Sequence, residues 1–299
     1  MAKMKIKSIA PWFGGKRILA AKIIEELGPH KAYWEPFCGS MAVLLCKKPA
    51  YLETVCDLHG DLINLVRTVA DPTHGPAIYR RLRRVLFHED LRAEAQAELE
   101  KPFAETPERA FWYLLHSWVG RNGFAGTAGA GKTTFSVRWT ANGGNPAVRL
   151  TSVVESIPAW RRRLRRVTVL RRDAFEVLPK IDDQDDAAIY ADPPYFSKSS
   201  QYAHDFAPED HARLADLLCR FKHARVVVSY YDDRGLKDLY PGWTKRHLDV
   251  HKGLSLANAR GASKTRAPEI LLINGPSFAE PDTPLFAGVA TDGKPSKPI

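Results

Sequence analysis

An acidic residue, two prolines and a tyrosine stand together at Asp192-Pro193-Pro194-Tyr195, directly after the apolar run 187–191. A short apolar run that ends at two prolines is typical of a buried strand followed by a rigid loop. Because proline cannot pair as a central sheet residue, backbone carbonyls there stay free to accept hydrogen bonds. A carboxylate, a carbonyl and an aromatic ring suit a planar group with an exocyclic amine, such as a nucleobase. The alternative is an ordinary turn with an exposed Asp192.

A second segment that suits ligand binding lies at 30–40, where the residue types predict a strand, a tight loop and the start of a helix. Gly39 permits a close approach of the backbone to a ligand. Ser40 is expected to cap the following helix, predicted at 41–48.

The next strand, predicted at 52–56, ends at Asp57. A carboxylate at the end of the second strand is how nucleotide-binding doubly wound folds hold a ribose. Because no GxGxxG motif precedes it, an adenosyl ligand is favoured over a dinucleotide. The alternative is that Asp57 only caps the predicted helix 61–70.

A third candidate segment, Pro11 to Lys16, precedes an amphipathic stretch at 18–27. Gly14 and Gly15 predict a turn that places Lys16 in the first helical turn. The helix dipole disfavours a cation at that position. Lys16 therefore either meets an anion, such as a ligand carboxylate, or is solvated.

Taken in order, these segments resemble the Dam-type adenine-N6 DNA methyltransferases (D12 class, alpha group). The stretch that follows Asp57 is similar to that family's ribose-binding strand and the helix after it. The resemblance covers most of residues 8–275 and is carried by Trp12–Lys16, Glu35–Ser40, 57–65, Asp192–Tyr195 and 224–274. It implies an α/β fold, a doubly wound Rossmann-like methyltransferase sheet with a mostly helical inserted target-recognition domain.

The resemblance also implies the reaction, which is site-specific methyl transfer from S-adenosylmethionine to N6 of an adenine flipped out of double-stranded DNA. Asp192 and the carbonyl of Pro193 or Pro194 would accept the two N6 protons, and Tyr195 would stack on the adenine. No metal is expected. The alternatives among enzymes are an RNA methyltransferase or an N4-cytosine methyltransferase, a class that commonly carries Ser in place of Asp192.

The family's cofactor contacts carry over to residues of this chain. Trp12 and Lys16 would contact the methionine end of the cofactor, and Asp57 would hold the ribose. Asp173 would bind the cofactor adenine, unless it only caps the helix that follows it. The residues expected to bind S-adenosylmethionine are Trp12, Lys16, Glu35, Phe37, Cys38, Gly39, Ser40, Asp57, Leu58, Asp173, Ala174, Phe175 and Asp192.

Residues 120–139 fall where the family places its target-recognition hairpin, with a possible strand at 135–139. Residues 126–133 match the Walker A pattern, but no apolar strand precedes them and a β-prone stretch follows. Both features argue against a P-loop, so a P-loop nucleotide-dependent nucleic-acid-binding module is only an alternative, as is a non-catalytic basic DNA-binding protein. The family commonly carries Arg where this chain has Gly126, which leaves a target other than GATC open. The residues expected to contact DNA are Arg121, Asn122, Phe124, Lys132 and Arg138.

The composition suits a partner of negative charge. Among 299 residues there are 44 Lys and Arg against 34 Asp and Glu, a formal net charge of +10, which fits double-stranded DNA. Arginine clusters at 80–81, 83–84, 161–163, 165–166 and 171–172 are expected to contact phosphates, or else to be solvated faces. Four cysteines without a CxxC or zinc spacing indicate reduced thiols. Without a signal peptide or a membrane-length apolar run, we expect a cytoplasmic protein, and a monomer.

Strand and helix signals alternate at both ends of the chain but not in its middle. Residues 75–119 predict helices only, and a further helix is predicted at 152–164. This is the pattern of an α/β domain with a helical insertion. We expect a catalytic domain built from 1–60 and 165–275, an inserted target-recognition domain at 61–164 and a disordered tail at 276–299.

Overall fold

The computed structural model describes residues 4–120, 125–126, 134–137, 139, 144–196, 206–233, 235–251 and 266–279. A seven-stranded sheet is formed by β1 (Ala32–Glu35), β2 (Leu52–Cys56), β3 (Thr168–Leu170), β4 (Ala187–Ala191), β5 (Arg225–Tyr231), β6 (Thr244–His251) and β7 (Arg266–Ile273). The helices within these ranges are α1 (Ala20–Leu27), α2 (Ala42–Cys46), α3 (Gly60–Ala70), α4 (His74–Leu82), α5 (Asp90–Glu100), α6 (Pro107–Val119), α7 (Pro146–Leu164), α8 (Ala174–Val177), α9 (Pro208–Leu218) and α10 (Leu236–Leu239).

The strand order is β3-β2-β1-β4-β5-β7-β6. Strands β1 to β5 pair in parallel, and β7 runs antiparallel between β5 and β6. The chain builds outward from β1 to β3 and then resumes at β4 on the other side of β1. An open α/β sheet binds ligands beyond the carboxyl ends of its strands at such a switch point. The doubly wound, Rossmann-like sheet is therefore confirmed, and its topology directs attention to the ends of β1 and β4.

Strand β4 shows why the sheet is covered on both faces. Every residue of this strand is buried. Its side chains alternate between two hydrophobic clusters: Ala188 and Tyr190 join one, and Ile189 and Ala191 join the other. The first cluster contains residues of α1 to α7, and the second contains residues of α8 to α10. A continuous apolar run is typical of a parallel strand between two helical layers.

The residues between β2 and β3 are mostly helical, as predicted. Thr106 caps α6 by accepting a hydrogen bond from the Arg109 N–H at 3.1 Å, next to Pro107 in the first turn. These helices contribute to the same hydrophobic cluster as one face of the sheet, and the division into two domains stays a prediction. No helix in the described ranges is long and apolar enough to cross a membrane.

Four local predictions need correction. Helix α7 begins at Pro146 and not at residue 152, because Asn145 caps it by accepting from the Ala147 N–H at 2.9 Å. Ser40 does not cap α2, since the capping position is Met41, with a left-handed φ of 56° and no side-chain cap bond. In the described part of 135–139, Phe135 forms one isolated bridge with Gly120 in place of a strand.

The fourth correction concerns the expected tail. Residues 276–279 lie against α1, where the Ser277 hydroxyl donates to the Glu26 carboxylate at 2.6 Å and the Phe278 N–H donates to it at 3.0 Å. Glu26 is itself buried and paired with Arg246 at 2.7 Å. The packed part of the chain therefore extends beyond residue 275.

Candidate active site

A cleft with an empty volume of about 1150 Å³, partly open to solvent, lies at the carboxyl ends of β1, β2 and β4. The segment before α1, the β1–α2 loop and the segments that follow β2, β3 and β4 all contribute to its wall. Parallel strands bring these segments together because their carboxyl ends meet at one edge of the sheet. Every residue predicted to bind the cofactor lines this cleft: Trp12, Lys16, Glu35, Phe37, Cys38, Gly39, Ser40, Asp57, Leu58, Asp173, Ala174, Phe175 and Asp192.

Asp57 joins the ends of two neighbouring strands. One carboxylate oxygen accepts the Gly39 N–H at 2.8 Å, and the other accepts the His59 N–H at 2.9 Å. The cap of α3 is the His59 side chain, which accepts from the Leu62 N–H at 3.2 Å. The alternative in which Asp57 is the helix cap is therefore wrong. Each carboxylate oxygen keeps a lone pair that can face the cleft.

Trp12 forms another part of the wall. A Cβ added at Gly39, where φ is +41°, would lie 2.8 Å from the Trp12 Nε1, so only glycine lets the two segments approach this closely. The indole also meets the His59 ring edge-on, with 5.4 Å between centroids. The Phe13 N–H donates to the Ala125 carbonyl at 3.1 Å, which holds this segment against a described residue of the 120–139 region.

Asp192 lies in a group of four polar side chains. Its Oδ2 is 2.9 Å from the Lys16 Nζ, and its Oδ1 is 3.2 Å from the Tyr195 hydroxyl. Both partners also contact Glu269, whose Oε1 is 3.2 Å from the Lys16 Nζ and 2.8 Å from the Tyr195 hydroxyl. Lys16 is buried and precedes α1, so the prediction that it stands in the first helical turn is wrong. Neither is it solvated, because protein carboxylates hold its ammonium.

Burial is the largest influence on the pKa values of Asp192 and Glu35, two of the carboxyl groups that line the cleft. It raises the pKa of Asp192 to about 6, while Lys16 opposes this rise and the negative charge of Glu269 adds to it. It also raises the pKa of Glu35 to about 8, although the Tyr33 hydroxyl donates to this carboxylate at 2.8 Å. At neutral pH Asp192 is therefore mostly ionised and Glu35 is mostly protonated.

The other end of the cleft is aromatic. Phe175 and Phe206 stand nearly parallel, with 5.9 Å between centroids, and Phe37 meets Phe206 edge-on at 6.0 Å. The Arg213 guanidinium lies 4.3 Å from the centroid of the Phe175 ring. Asp173 accepts the Phe175 N–H at 2.9 Å and so caps α8. The capping role considered for Asp173 is therefore present, and its carboxylate lines the cleft as well.

The remaining predicted residues have different positions. Pro194 lines the cleft, but Pro193 and Tyr195 are buried and do not. The Tyr195 ring packs against Tyr231, with 4.5 Å between centroids. The predicted DNA contacts Arg121, Asn122, Phe124, Lys132 and Arg138 lie outside the described residues, as do residues 127–133 of the Walker-like segment.

The arginine clusters are partly used within the protein. Arg163 is largely buried, with a side-chain exposure of 10%, and pairs with both oxygens of Glu53, which also binds Lys47 at 2.6 Å. Arg81 pairs with Glu108. The expectation of phosphate contacts is therefore wrong for Arg163, because its guanidinium is committed to a buried carboxylate. For the other members of these clusters the phosphate contact stays a prediction.

Sequence reasoning missed Glu269, Phe206 and Arg213. Glu269 heads the apolar run of β7, and the antiparallel direction of this strand brings its first residues to the edge where the parallel strands end. A charged residue before an apolar run is a weak signal that could have been followed. Phe206 and Arg213 belong to no motif, and only the packing of α9 brings them to the cleft.

Comparison with known proteins defines the class. The family described as D12 class N6 adenine-specific DNA methyltransferase matches residues 12–252, so the chain belongs to this family. Two relatives named DNA adenine methylase, from the O395 and N16961 strains of Vibrio cholerae serotype O1, are each 25% identical over 290 residues. Each alignment covers 92% of this chain and 98% of the relative. The chain is thus similar to these proteins over nearly their full length.

Two solved structures are more distant. A precorrin 8w decarboxylase from Methanobacterium thermoautotrophicum is 14% identical, and the two chains are covered at 86% and 87% with a TM-score of 0.35. The structure of SMU.472 in complex with SAH is 10% identical, with coverage of 86% of this chain and 52% of that chain and the same TM-score of 0.35. The description of the fold therefore rests on the strand order itself.

Proposed function

We propose that the protein is an S-adenosylmethionine-dependent enzyme that methylates N6 of an adenine flipped out of double-stranded DNA. The observation that carries this proposal is the position of Asp192. Its carboxylate stands at the carboxyl end of β4, next to the switch point of the sheet, and lines the same cleft as Asp57. Membership of the adenine-specific family supports the choice of base and substrate.

The chemistry of the cleft fits an adenosyl sulfonium cofactor. Phe37, Phe175 and Phe206 offer aromatic walls for an adenine ring. Asp57 supplies carboxylate lone pairs for ribose hydroxyls. The excess of carboxylates over ammonium groups near Asp192 suits a cationic ligand. When bound, the cofactor supplies a methyl group already activated by the positive sulfur.

The residues of the chain then act by positioning and charge matching. The Asp192 carboxylate accepts a hydrogen bond from one N6–H of the base, and the carbonyl of Pro193 or Pro194 accepts one from the other N6–H. These two bonds fix the direction of the nitrogen lone pair. Holding the reactants in the correct geometry is worth several kcal/mol of the barrier, about 7–11 in favourable cases. A base inside a duplex hides its amine, so the target must leave the stack before these contacts form.

Two further roles follow the family motif. Trp12 and Lys16 are proposed to shape the methionine end of the cofactor site. Tyr195 is proposed to stack on the target base, and its ring meets that of Tyr231 at a steep angle with 4.5 Å between centroids. Arg121, Asn122, Phe124, Lys132 and Arg138 are proposed to contact the DNA.

The test is methylation of duplex DNA by the purified protein with S-adenosylmethionine, followed by nucleoside digestion. N6-methyladenine is the expected product, and Asp192→Asn should reduce the rate by about 10²–10³-fold, as for removal of one positioned hydrogen-bonding group. Asp185→Asn is the matched control, because its side chain is 90% exposed. Formation of only N4- or C5-methylcytosine would contradict the proposal.

A further inference from the structure

Glu269 lies at the edge of the sheet where Asp192 stands, in a segment whose resemblance to the family assigned it no role in the site. It stands near the start of β7, in register with Tyr231 at the end of β5. Its carboxylate is almost buried, with a side-chain exposure of 10%. A carboxylate in such a position needs partners, and two of them, Lys16 and Tyr195, lie among the described residues.

Both partners of Glu269 are also partners of Asp192. The Tyr195 hydroxyl is closer to Glu269, at 2.8 Å, than to Asp192, at 3.2 Å. A hydroxyl has one hydrogen to donate, and the shorter distance indicates that it is donated to Glu269. The Lys16 ammonium has three N–H donors, which face Asp192 at 2.9 Å, Glu269 at 3.2 Å and the Gly14 carbonyl at 2.7 Å. Glu269 therefore competes with Asp192 for the same two donors.

We infer that Glu269 is a positioning residue for methyl transfer. It accepts the hydrogen bond of the Tyr195 hydroxyl and one from the Lys16 ammonium, so lone pairs of Asp192 remain for the amine of the target base. This inference rests on the proposed function. It assigns to Glu269 no contact with the base or the cofactor. Its effect on the reaction passes through Lys16 and Tyr195.

A change at Glu269 should therefore change both the acceptor strength and the protonation of Asp192. The charged and titratable groups that act on Asp192 come from several elements: Lys16 before α1, Glu35 on β1, Tyr190 on β4, Tyr195 in the loop, Tyr230 on β5 and Glu269 on β7. Without the charge of Glu269, Asp192 loses a like-charged neighbour and keeps Lys16 for itself. The pKa of Asp192 then falls, and its oxygens accept more of the hydrogen bonds that Lys16 and Tyr195 donate.

The experiment measures kcat for methyl transfer from pH 5 to 9 in Glu269→Gln and Glu269→Asp. The acid limb of Glu269→Gln should move down by about one pH unit, and its plateau kcat should fall about tenfold while the cofactor KM changes less than about twofold. Glu269→Asp keeps the charge but shortens the reach to Tyr195. It should lower the plateau and leave the acid limb in place.

Glu209→Gln is the control, because Glu209 is exposed on α9. Carbon-13 titration of the Asp192 carboxyl in folded wild type and Glu269→Gln provides a readout that needs no turnover. An unmoved acid limb together with an unmoved Asp192 titration would overturn the inference, as would loss of the plateau that is explained by a lower melting temperature. A wild-type protein that forms no N6-methyladenine would instead overturn the proposed function, and the titration would still decide the role of Glu269.

Discussion

Replacing Lys16 by methionine removes the positive charge beside Asp192 and keeps a side chain of similar length. In the protein, the Lys16 ammonium lies 2.9 Å from Asp192 and 3.2 Å from Glu269 and is itself buried. After the substitution, two carboxyl groups face each other without a cation between them. Asp192 then favours its protonated form, because burial and the like charge of Glu269 both raise its pKa.

The magnitude follows from the pKa of Asp192. That pKa is about 6 with Lys16 present, so about 90% of Asp192 is ionised at pH 7. Loss of an opposite charge at this distance raises a carboxyl pKa by about 1–3 units. At pH 7 the ionised share of Asp192 then falls to between about 50% and 1%. If only ionised Asp192 supports transfer, the rate at pH 7 should fall by about 2- to 100-fold and recover towards pH 9.

The assay is methyl transfer to duplex DNA across this pH range at saturating cofactor, with Lys48→Met as the control at an exposed position. An equal loss of rate at every pH would refute the reasoning, since Lys16 would then act on cofactor placement and not on the charge of Asp192. The stability of the variant provides a second check. A carboxyl whose pKa is raised by folding contributes stability that is present at low pH and lost as pH rises through the folded pKa. The deficit of Lys16→Met should therefore be larger at pH 9 than at pH 5.

Two further substitutions test separate parts of the cleft. Asp57→Asn should weaken cofactor binding by about 1.5–3 kcal/mol, because the amide nitrogen cannot accept a hydrogen bond as the carboxylate oxygens do from Gly39 and His59. Unchanged affinity in calorimetry would mean that Asp57 only connects the two loops. Glu35→Gln should remove a pH dependence of stability. Because folding raises the pKa of Glu35 to about 8, the free energy of unfolding of the wild type should fall relative to the variant by about 1.4 kcal/mol per pH unit between roughly pH 4.5 and 8. Urea unfolding that gives the same difference in stability at every pH would contradict this.

The sequence predicted best where the chain is buried on both faces. The apolar run of β4 forms a strand because each of its side chains packs into one of the two hydrophobic clusters, and the proline pair ends it. The motif residues converge because parallel strands end at one edge, so a list of strand-end residues such as Glu35, Asp57 and Asp192 is already a description of the cleft. For these residues, knowing which strand each one follows is enough to predict that they meet in one cleft.

The prediction was weaker where a polar residue has two possible partners. Ser40 has the side chain of a helix cap, yet the backbone turns left-handed at Met41 and the cap bond does not form. The partner of Lys16 could not be named from sequence, because Glu269 arrives from the opposite end of the chain on an antiparallel strand. Such contacts depend on tertiary packing, which a local pattern does not encode.

Gly126 shows how a departure from the family pattern can have a structural cause. Its φ is +82°, and an added Cβ would lie 2.4 Å from the Trp12 Cζ2. A side chain at this position would therefore need both an unfavourable backbone conformation and a displaced indole. The Arg that Dam members commonly carry there does not fit while Trp12 forms the wall of the cleft. Residue 126 thus lines the cleft as a glycine, and we expect any side chain that selects a DNA target to come from another position within 120–139.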